Sequence, residues 1–343
     1  MGFARWVVIP ALLASAASAA DPVLLGSRRD GWLEAFRLDN LESVARVRVK
    51  DKVDSVQAAP EGQRIFVNAP HPQQPEICCA LWMLDPRSLR AFAILWPAFR
   101  PVLVNNKLFA QRGDDGIEVF DARSLAHMPT IRVPGVYNLV PSPDGRWLFG
   151  TRQFPTPGLD IFDLSQFKIV RAVPLQDAAL LRGVWLGAQY YLFAPGLPGA
   201  GRFWAVDTQT GALGQPKLVR LGETACAEPD YEVLAADSRI AVYSPVGTKA
   251  ECMVGGYVLA DPAAGTASAR LAPDLHFARL VAGPDGKSLY GVTAPKDVKL
   301  VKLDAASGKT LASRTLPADI WNLTVGGLPP EWQGRMDLQA IFQ

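Results

Sequence analysis

The sequence predicts an all-β fold, namely a seven-bladed β-propeller of four-stranded antiparallel blades. Three observations lead to this prediction: a strand–Asp–turn–strand unit recurs along the chain, a Pro/Gly-rich hairpin recurs between these units, and the two ends of the chain supply complementary parts of one blade. The unit returns after about 44 residues, a period that is typical of propeller blades. A single repetitive domain of this kind accounts for residues 21–343.

The recurring unit consists of a short apolar or alternating run, an aspartate, a small polar turn and a second strand-like run. Two clear copies read "GIEVFDARSLAHMPTIRV" and "KLVKLDAASGKTLASRTL". We interpret the aspartates as structural residues of the hairpin between strands C and D, because an aspartate carboxylate accepts turn N–H groups and seven copies around a ring cannot all be catalytic. The seven aspartates are Asp39, Asp85, Asp121, Asp163, Asp207, Asp261 and Asp304.

The second recurring element joins two strand-like runs through a Pro/Gly/Asp turn, as in "GVYNLVPSPDGRWLFGTR" and "FARLVAGPDGKSLYGVT". Turn residues between short alternating runs predict a hairpin, which supplies strands A and B on the channel side of each blade. Near the C-terminus, "ADIWNLTVGG" resembles an inner strand, whereas the segment after residue 21 begins with a strand of type B. We therefore predict that residues ~319–325 and ~22–49 form one blade together, so that pairing of N- and C-terminal strands closes the ring.

Residues 1–20 are predicted to be a secretory signal peptide, because one early arginine precedes a short apolar run and small residues in an A-x-A-like pattern. The remaining chain has no second apolar run of the ~18 residues that a membrane helix needs, so we expect no membrane span after cleavage. We predict a periplasmic protein, in a compartment that permits disulfides. With 35 Lys and Arg against 33 Asp and Glu, and no basic block, the sequence argues against binding to nucleic acid or to an anionic membrane surface.

Four cysteines allow three pairings. Cys226 lies in the predicted D–A loop before blade 6, and Cys252 lies at the end of the B–C loop of the same blade. Because both loops are at one end of one blade, we favour a structural disulfide between Cys226 and Cys252. It closes a loop of 26 residues, and such a bond contributes about 3 kcal/mol in the chain-entropy description.

Cys78 and Cys79 are adjacent in the long B–C loop of blade 2, behind His71 and Glu76. A bond between neighbouring cysteines needs a strained eight-membered ring, and strain makes a disulfide more easily reduced. A vicinal disulfide acting as a redox switch or ligand clamp, two reduced thiols, and cross-blade pairing or metal binding all stay open. We predict no metal site, since zinc or cuprous copper needs further ligands at suitable spacing and His71 is the one nearby imidazole.

Polar residues recur at one register of the inner strands when "VDSVQ", "VYNLV", "FARLV" and "IWNLT" are aligned on their turns. These residues are Ser55, Asn138, Arg279 and Asn322. In a solvated channel they can bind a small polar or anionic ligand, or they can hydrate the channel and satisfy one another. His276 opens the inner strand of blade 7 and is the better functional candidate among the histidines, whereas His127 falls on an outer strand.

The segments "VFDARSL", "SPDGRWLFG", "AVDTQTG", "GPDGKSLYGV" and "KLDAASGKTLASRTLP" resemble the YVTN-type bacterial propellers. Among these, the periplasmic propeller (heavy or beta) subunits of amine dehydrogenases look similar in length, signal peptide and layout. In those enzymes the propeller packs against a small subunit that carries a protein-derived quinone. The resemblance implies that this chain holds no cofactor itself and that a periplasmic partner subunit carries a quinone. The resembling residues belong to turns and strands, which specify a fold and leave the function open.

The sequence contains no C-x-x-C-H, G-x-S-x-G, G-x-G-x-x-G or P-loop motif. With three histidines and no paired acid motif, general acid–base chemistry lacks an obvious agent. We therefore expect a protein-binding or structural subunit, for which no catalytic residue can be named. The alternative is a propeller enzyme, either a lactonase-like hydrolase or a quinone-linked dehydrogenase, with its site at the top of the channel around His276, Arg279 and Asn138.

Overall fold

A computed structural model of the protein describes residues 21–28, 30–49, 53–59, 62–70, 79–104, 106–112, 116–175, 178, 180–196, 199–222, 232–245, 255–293, 298–317 and 320–342. Apart from one turn of 3₁₀ helix, the regular structure of these residues consists of β-strands. None of the helical structure in the described residues is long and apolar enough to cross a membrane. The predicted signal peptide, residues 1–20, lies outside the described residues.

The first sheet combines both ends of the domain, in the order β27-β1-β2-β3. Its strands are β1 (Pro22–Arg28), β2 (Trp32–Arg37), β3 (Ser43–Arg48) and β27 (Ile320–Gly327). Strand β1 pairs antiparallel with β27 along its whole length, from Pro22 opposite Gly327 to Arg28 opposite Ile320. The predicted closure by N- and C-terminal strands is therefore confirmed.

The other strands follow in consecutive groups, each antiparallel and each running from an inner to an outer strand. We call each group a unit and the first sheet unit 1: unit 2 contains β4 (Ser55–Ala58), β5 (Ile65–Ala69), β6 (Ala80–Leu84) and β7 (Arg90–Leu95), and unit 3 contains β8 (Phe99–Val104), β9 (Lys107–Gln111) and β10 (Ile117–Asp121). Unit 4 contains β11 (Val136–Pro141), β12 (Trp147–Arg152), β13 (Gly158–Asp163) and β14 (Lys168–Pro174), and unit 5 contains β15 (Arg182–Leu186), β16 (Gln189–Pro195), β17 (Ala200–Val206) and β18 (Lys217–Arg220). Unit 6 contains β19 (Val233–Ala236), β20 (Arg239–Pro245), β21 (Gly255–Asp261) and β22 (Thr266–Leu271), and unit 7 contains β23 (Phe277–Ala282), β24 (Ser288–Thr293), β25 (Lys299–Asp304) and β26 (Thr310–Thr315). Units 6 and 7 share one bridge, between Gly255 and Phe277.

The inner strands surround a central channel. Strand β4 contacts β8, and the contacts continue in succession through β11, β15, β19, β23 and β27, which contacts β4 again. The all-β propeller architecture is confirmed. The count of seven blades stays a prediction, and this succession of inner strands favours it.

Clusters of buried apolar side chains lie between neighbouring units all the way around the ring. Successive residues of a strand point to opposite faces of its sheet, so each sheet contributes to two clusters. In β1, for example, Val23 and Leu25 pack with unit 2, whereas Leu24 packs with unit 7. Burial on both faces explains why a strand such as β6 is apolar throughout.

The C–D turns confirm the structural interpretation of most of the repeated aspartates. The carboxylate of Asp121 accepts the N–H groups of Arg123 and Ser124 at 3.0 and 2.7 Å, and the hydroxyl of Ser124 at 2.8 Å. Equivalent bonds from turn N–H groups reach Asp85, Asp163, Asp207, Asp261 and Asp304. Six of the seven repeated aspartates thus have a structural role in the hydrogen bonding of their turns.

Asp39 is also a structural turn residue, but it lies at a different position in its turn from the other six aspartates. In five of the other six turns, the N–H four residues after the aspartate donates to the carbonyl of that aspartate, as from Leu125 to Asp121. In unit 1 this bond runs from Leu41 to Arg37, so Arg37 takes the position of the repeat aspartate. Asp39 instead accepts the N–H of Asn40 at 2.8 Å. The sequence alignment missed the register because Asp39 lies only two residues farther along.

Unit 3 departs from the predicted four strands. After β10 the chain makes only isolated bridges, Ile117 to Ile131 and Phe120 to His127, among the described residues. Pro129 lies between these bridges and has no N–H to donate to a ladder, which explains why the outer strand does not form. The prediction that His127 belongs to a regular outer strand is therefore wrong.

Residues 328–342 form a C-terminal strap that the sequence analysis did not foresee. A 3₁₀ turn (Pro330–Trp332) leads to β28 (Leu338–Gln339) and β29 (Ile341–Phe342). Strand β28 pairs in parallel with β3, and β29 pairs in parallel with β7. The strap therefore covers the outer edges of units 1 and 2 and joins them.

Acidification is expected to destabilise the protein through the C–D turns. Hydrogen bonds from the Ser124 N–H and hydroxyl hold the pKa of Asp121 below its ordinary value of 3.8, and turn donors lower the pKa of Asp85, Asp163, Asp207 and Asp304 in the same direction. A carboxyl whose pKa is lower in the folded state stabilises the fold above its unfolded pKa, and this contribution is lost as the pH falls through the folded pKa. The melting temperature should therefore fall as the pH is lowered below about 4.

A triple variant provides the control, namely Asp85→Asn, Asp121→Asn and Asp304→Asn. An asparagine oxygen still accepts the turn N–H groups but does not titrate. Thermal melts followed by circular dichroism should show a shallower acid limb for this variant than for the parent. Equal slopes for the two proteins would show that other carboxyl groups control the acid transition.

Candidate functional site

The upper end of the channel, defined as the end at which the inner strands begin, is where the sequence analysis placed a site. Of the predicted residues, Asn138, Arg279 and Asn322 each lie next to an irregularity in strand pairing near the start of an inner strand. Ser55 is the first residue of β4. The shared register therefore corresponds to a shared position in the structure, just inside the upper end.

The first polar group at the upper end joins units 6 and 7. The guanidinium Nη1 of Arg279 donates to Oε1 of Glu232, and the hydroxyl of Tyr257 donates to Oε2 of the same carboxylate at 3.0 Å. The Arg279 side chain is 37% exposed and that of Glu232 is 28% exposed. Burial, together with the charge of Glu232, holds the pKa of Tyr257 well above its usual range. Tyr257 is therefore a protonated donor that orients the carboxylate.

His276 lies one residue before β23, beside this group. It is exposed, and the described residues provide no hydrogen bond to its ring. An imidazole that acts as a general base is normally oriented by a second group bonded to its other nitrogen. The structure thus places His276 where the sequence put it and shows no orienting partner for it among the described residues.

A second set of polar side chains links three of the units to the unit that follows. Asn322 donates to the carbonyl of Asp54 at 3.0 Å, Asn68 donates to that of Ala98 at 3.3 Å, and Thr151 donates to that of Leu181 at 3.1 Å. Asp54, Ala98 and Leu181 each immediately precede an inner strand. Asn322 therefore fixes the start of β4.

Ser55 and Asn138 are the cross-strand neighbours of two of these linking residues. Ser55 lies opposite Asn68, and Asn138 lies opposite Thr151. The Ser55 hydroxyl is buried with no hydrogen-bond partner among the described atoms. Of the four aligned residues, Asn322 and Arg279 are engaged in contacts within the protein, while the described part of the chain supplies no side-chain hydrogen bond to Ser55 or Asn138.

Cys79 is the one cysteine within the described residues. It is buried, its sulfur is disulfide-bonded, and Sγ contacts the carboxylate of Asp54. Cys78, Cys226 and Cys252 lie outside the described residues, as do His71 and Glu76. The pairing of the cysteines therefore stays a prediction. Groups of three or more side chains suited to a metal ion do not occur in the part of the chain that the structure describes.

Buried ion pairs near the B–C turns were missed by the sequence analysis. Arg152 Nε donates to Asp160 Oδ2 at 3.0 Å, and comparable pairs occur in units 1 and 3. Those two pairs are Arg28 with Glu34 and Arg112 with Glu118, each at 3.3 Å. In all three units the acid lies three residues before the residue that begins the C–D turn. An acid at this spacing, after an arginine at the end of strand B, was therefore a signal available in the sequence.

In unit 3, His127 also contacts the acidic residue of the ion pair, Glu118. Glu118 accepts a hydrogen bond from Thr130 at 2.7 Å, and its Oε2 lies 2.6 Å from Nε2 of His127. Burial alone would raise the pKa of Glu118, but the bonds from Thr130, His127 and Arg112 outweigh burial and hold it below the usual range. Glu118 therefore fastens the irregular segment after β10 to the sheet, which gives His127 a structural role.

Solved structures with a similar fold share little sequence with this chain. Hydrazine synthase from Kuenenia stuttgartiensis has a TM-score of 0.58 and 11% identity, with 88% of this chain and 97% of that chain covered. A putative 6-phosphogluconolactonase from Bacteroides uniformis has a TM-score of 0.62 and 14% identity, with 89% and 98% covered. The dihydro-heme d1 dehydrogenase NirN has a TM-score of 0.57 and 16% identity, with 90% and 66% covered.

The architecture they share is the β-propeller. Comparison with protein-family models finds no match, and neither does comparison with curated protein sequences. Because identities of this size establish a common fold only, the function has to be argued from the residues of this chain.

Proposed function

We propose that this protein is a periplasmic β-propeller of the YVTN type that acts as a protein-binding or structural subunit. In an amine-dehydrogenase-like complex, the partner subunit would carry the quinone cofactor and this chain would carry none. The supporting observation is the engagement of Arg279, the strongest ligand candidate at the upper end, by the carboxylate of Glu232. The motif resemblance set out above supports the choice of complex.

The net charge of the Arg279–Glu232 ion pair bears on which ligand the upper end of the channel can bind. A guanidinium that is already paired with a carboxylate presents little net positive charge to an anionic ligand. Separating the pair would leave Glu232 next to the ligand and would remove the bond that Tyr257 helps to orient. A general base must also lie within hydrogen-bond reach of its proton, and no oriented base is present among the described residues at this end. The group therefore suits a scaffold better than a reaction centre.

Isolation from the native periplasm is expected to yield a complex rather than a single chain. Size-exclusion chromatography with light scattering should give a mass well above that of the monomer, with a second polypeptide at fixed ratio and quinone absorbance in that second polypeptide. The chain produced alone should be colourless and inactive towards amines and lactones.

The rival function is an enzyme with its site at the upper end. It is favoured by one observation, the exposure of His276 beside the 37%-exposed side chain of Arg279. Lactone hydrolysis or amine oxidation by the isolated chain, abolished in His276→Ala and unchanged in His127→Ala, would replace our proposal with this one. A native protein that runs as a monomer would also contradict the subunit role.

A further inference from the structure

In the six units that have a fourth strand, this strand carries basic residues and no acidic ones. This holds for β3, β7, β14, β18, β22 and β26. Their basic residues are Arg46, Arg48, Arg90, Lys168, Arg171, Lys217, Arg220, Arg270 and Arg314. Since the whole chain has nearly equal numbers of basic and acidic residues, folding separates the charges and gives the outer rim one sign.

The C-terminal strap shows what such a strand can bind. Strand β28 adds in parallel to β3, and Arg46 of β3 donates through Nε to the carbonyl of Met336 at 3.0 Å and through Nη2 to the carboxylate of Asp337 at 3.1 Å. The apolar side chain of Leu338 is buried beside them. An extended segment with one carboxylate and an apolar neighbour is thus docked on a basic outer strand within this molecule.

Strand β14 has the same composition and carries no such cover in the described part of the chain. It pairs with β13 on one side, and its other edge is unpaired. Ile169 and Val170 are 36% and 42% exposed, and neither Lys168 nor Arg171 takes part in a salt bridge among the described residues. An exposed strand edge with apolar side chains is a template for pairing with another extended chain.

The other open edges are less suitable. Strand β18 has four residues against the seven of β14. In β26, Arg314 already donates to the carbonyl of Leu41 at 3.4 Å, and in β22, Arg270 is only partly exposed. Length, exposed apolar area and unengaged charge therefore coincide in β14.

We propose that β14 binds an extended acidic and apolar segment of a protein partner, which adds to unit 4 as a further strand. A carboxylate of the segment lies between Lys168 and Arg171, and its apolar side chains cover Ile169 and Val170. Backbone hydrogen bonds supply affinity and the charges set the choice of segment, as in other cases of strand addition. This inference rests on the proposed protein-binding function and specifies the chemistry of the partner.

The test uses the full chain and a fluorescein-labelled peptide with the sequence of the strap, MDLQAIF (residues 336–342), which carries one carboxylate and no basic residue. Fluorescence anisotropy should show binding to the parent protein. Binding should weaken by about tenfold or more in the double variant Lys168→Glu/Arg171→Glu, because like charges then face the peptide. The matched control is Lys217→Glu/Arg220→Glu on β18, which should bind as the parent does.

Hydrogen exchange locates the peptide. Amide exchange within residues 168–174 should slow when the peptide is added, while exchange within residues 310–315 should not change. Unaltered exchange in β14 would overturn the proposal, and so would equal weakening by both charge-reversal variants, which would indicate unspecific attraction. Binding to phosphatidylglycerol vesicles without binding to the peptide would assign the rim to a membrane surface and would also overturn it.

The outcome is separable from that of the proposed function. Cross-linking of the native complex that places the partner elsewhere would leave the subunit role intact and refute the role of β14. Peptide binding at β14 in a protein that is monomeric in the native periplasm would support the role of β14 and refute the subunit role.

Discussion

Replacing Trp332 with alanine is expected to destabilise the protein by about 3–5 kcal/mol. The Trp332 ring is 1% exposed and packs in the apolar cluster between units 1 and 2, together with Leu328 and Leu338 of the strap. Its indole N–H donates to the carbonyl of Pro86 at 3.0 Å, so the alanine variant also leaves a buried acceptor without its partner. The loss should appear as a lower guanidinium midpoint in unfolding followed by fluorescence.

The matched control is Ile341→Ala in the same strap. Ile341 is 56% exposed, and a substitution at an exposed position changes stability by no more than about 0.5 kcal/mol. Because β29 pairs with β7 through its backbone, the variant keeps the pairing. If Trp332→Ala were as stable as Ile341→Ala, the strap would be a passive cover rather than part of the core.

Replacing Asp160 with alanine is expected to destabilise the protein by about 3–5 kcal/mol, because it leaves a buried charge unpaired. The side chains of Arg152 and Asp160 are 15% and 2% exposed, and Arg152 also donates to the carbonyl of Thr156 at 2.7 Å. Arg152 therefore stays near the B–C turn of unit 4 without its carboxylate. Equilibrium unfolding in urea measures the effect.

A double variant separates the ion pair from its packing. Exchange of both partners, Arg152→Met with Asp160→Leu, removes both charges and keeps side-chain volume, and such exchanges are often neutral or stabilising. We expect it to recover most of the stability that Asp160→Ala loses. A double variant as unstable as Asp160→Ala would show that the pair has a role beyond compensating its own charges. Asp207→Asn, at an exposed turn, controls for loss of a carboxylate alone.

The features that the sequence predicts well are local. Turn chemistry such as "SPDG" before Arg146 and the Asp–x–x–Ser spacing at Asp121 depend on hydrogen bonds within a few residues, so the pattern can be read directly. Strand β27 was also predictable, although it pairs with β1 at the other end of the domain. It carries the inner-strand pattern of the repeat, and the pattern after residue 21 begins with a strand of type B.

The features that the sequence analysis missed depend on long-range geometry. The strap has no repeat to compare with, and its docking requires the outer edges of β3 and β7 to lie side by side in the fold. The partner of Arg279 is Glu232, 47 residues away, and no local spacing announces it. In unit 1 the substitution of Arg37 for the repeat aspartate shifted the alignment onto Asp39, because an aspartate two residues away satisfied the same pattern.

The positive charge of the outer strands at the candidate interface also depends on long-range geometry, so the sequence analysis did not predict it. Along the chain, basic residues alternate with acidic ones and no block is visible. The propeller places every outer strand on the rim, and only then do Lys168 and Arg171 share a surface of one sign with residues from other sheets. The sequence therefore shows that no basic block occurs along the chain, but it gives no information about a basic surface that forms only on folding.

Pairing of β1 with β27 also sets the order of events during synthesis of the chain. Sheets 2 to 7 can each assemble from consecutive strands, but the first sheet waits until residues 320–327 have followed about 300 others. Until then the molecule is an open arc with two apolar faces and two unpaired edges exposed to its surroundings. Because synthesis runs from the N-terminus, a strand made near the end of the chain seals the ring, and the interval before β27 is made is when the nascent chain most needs protection from aggregation.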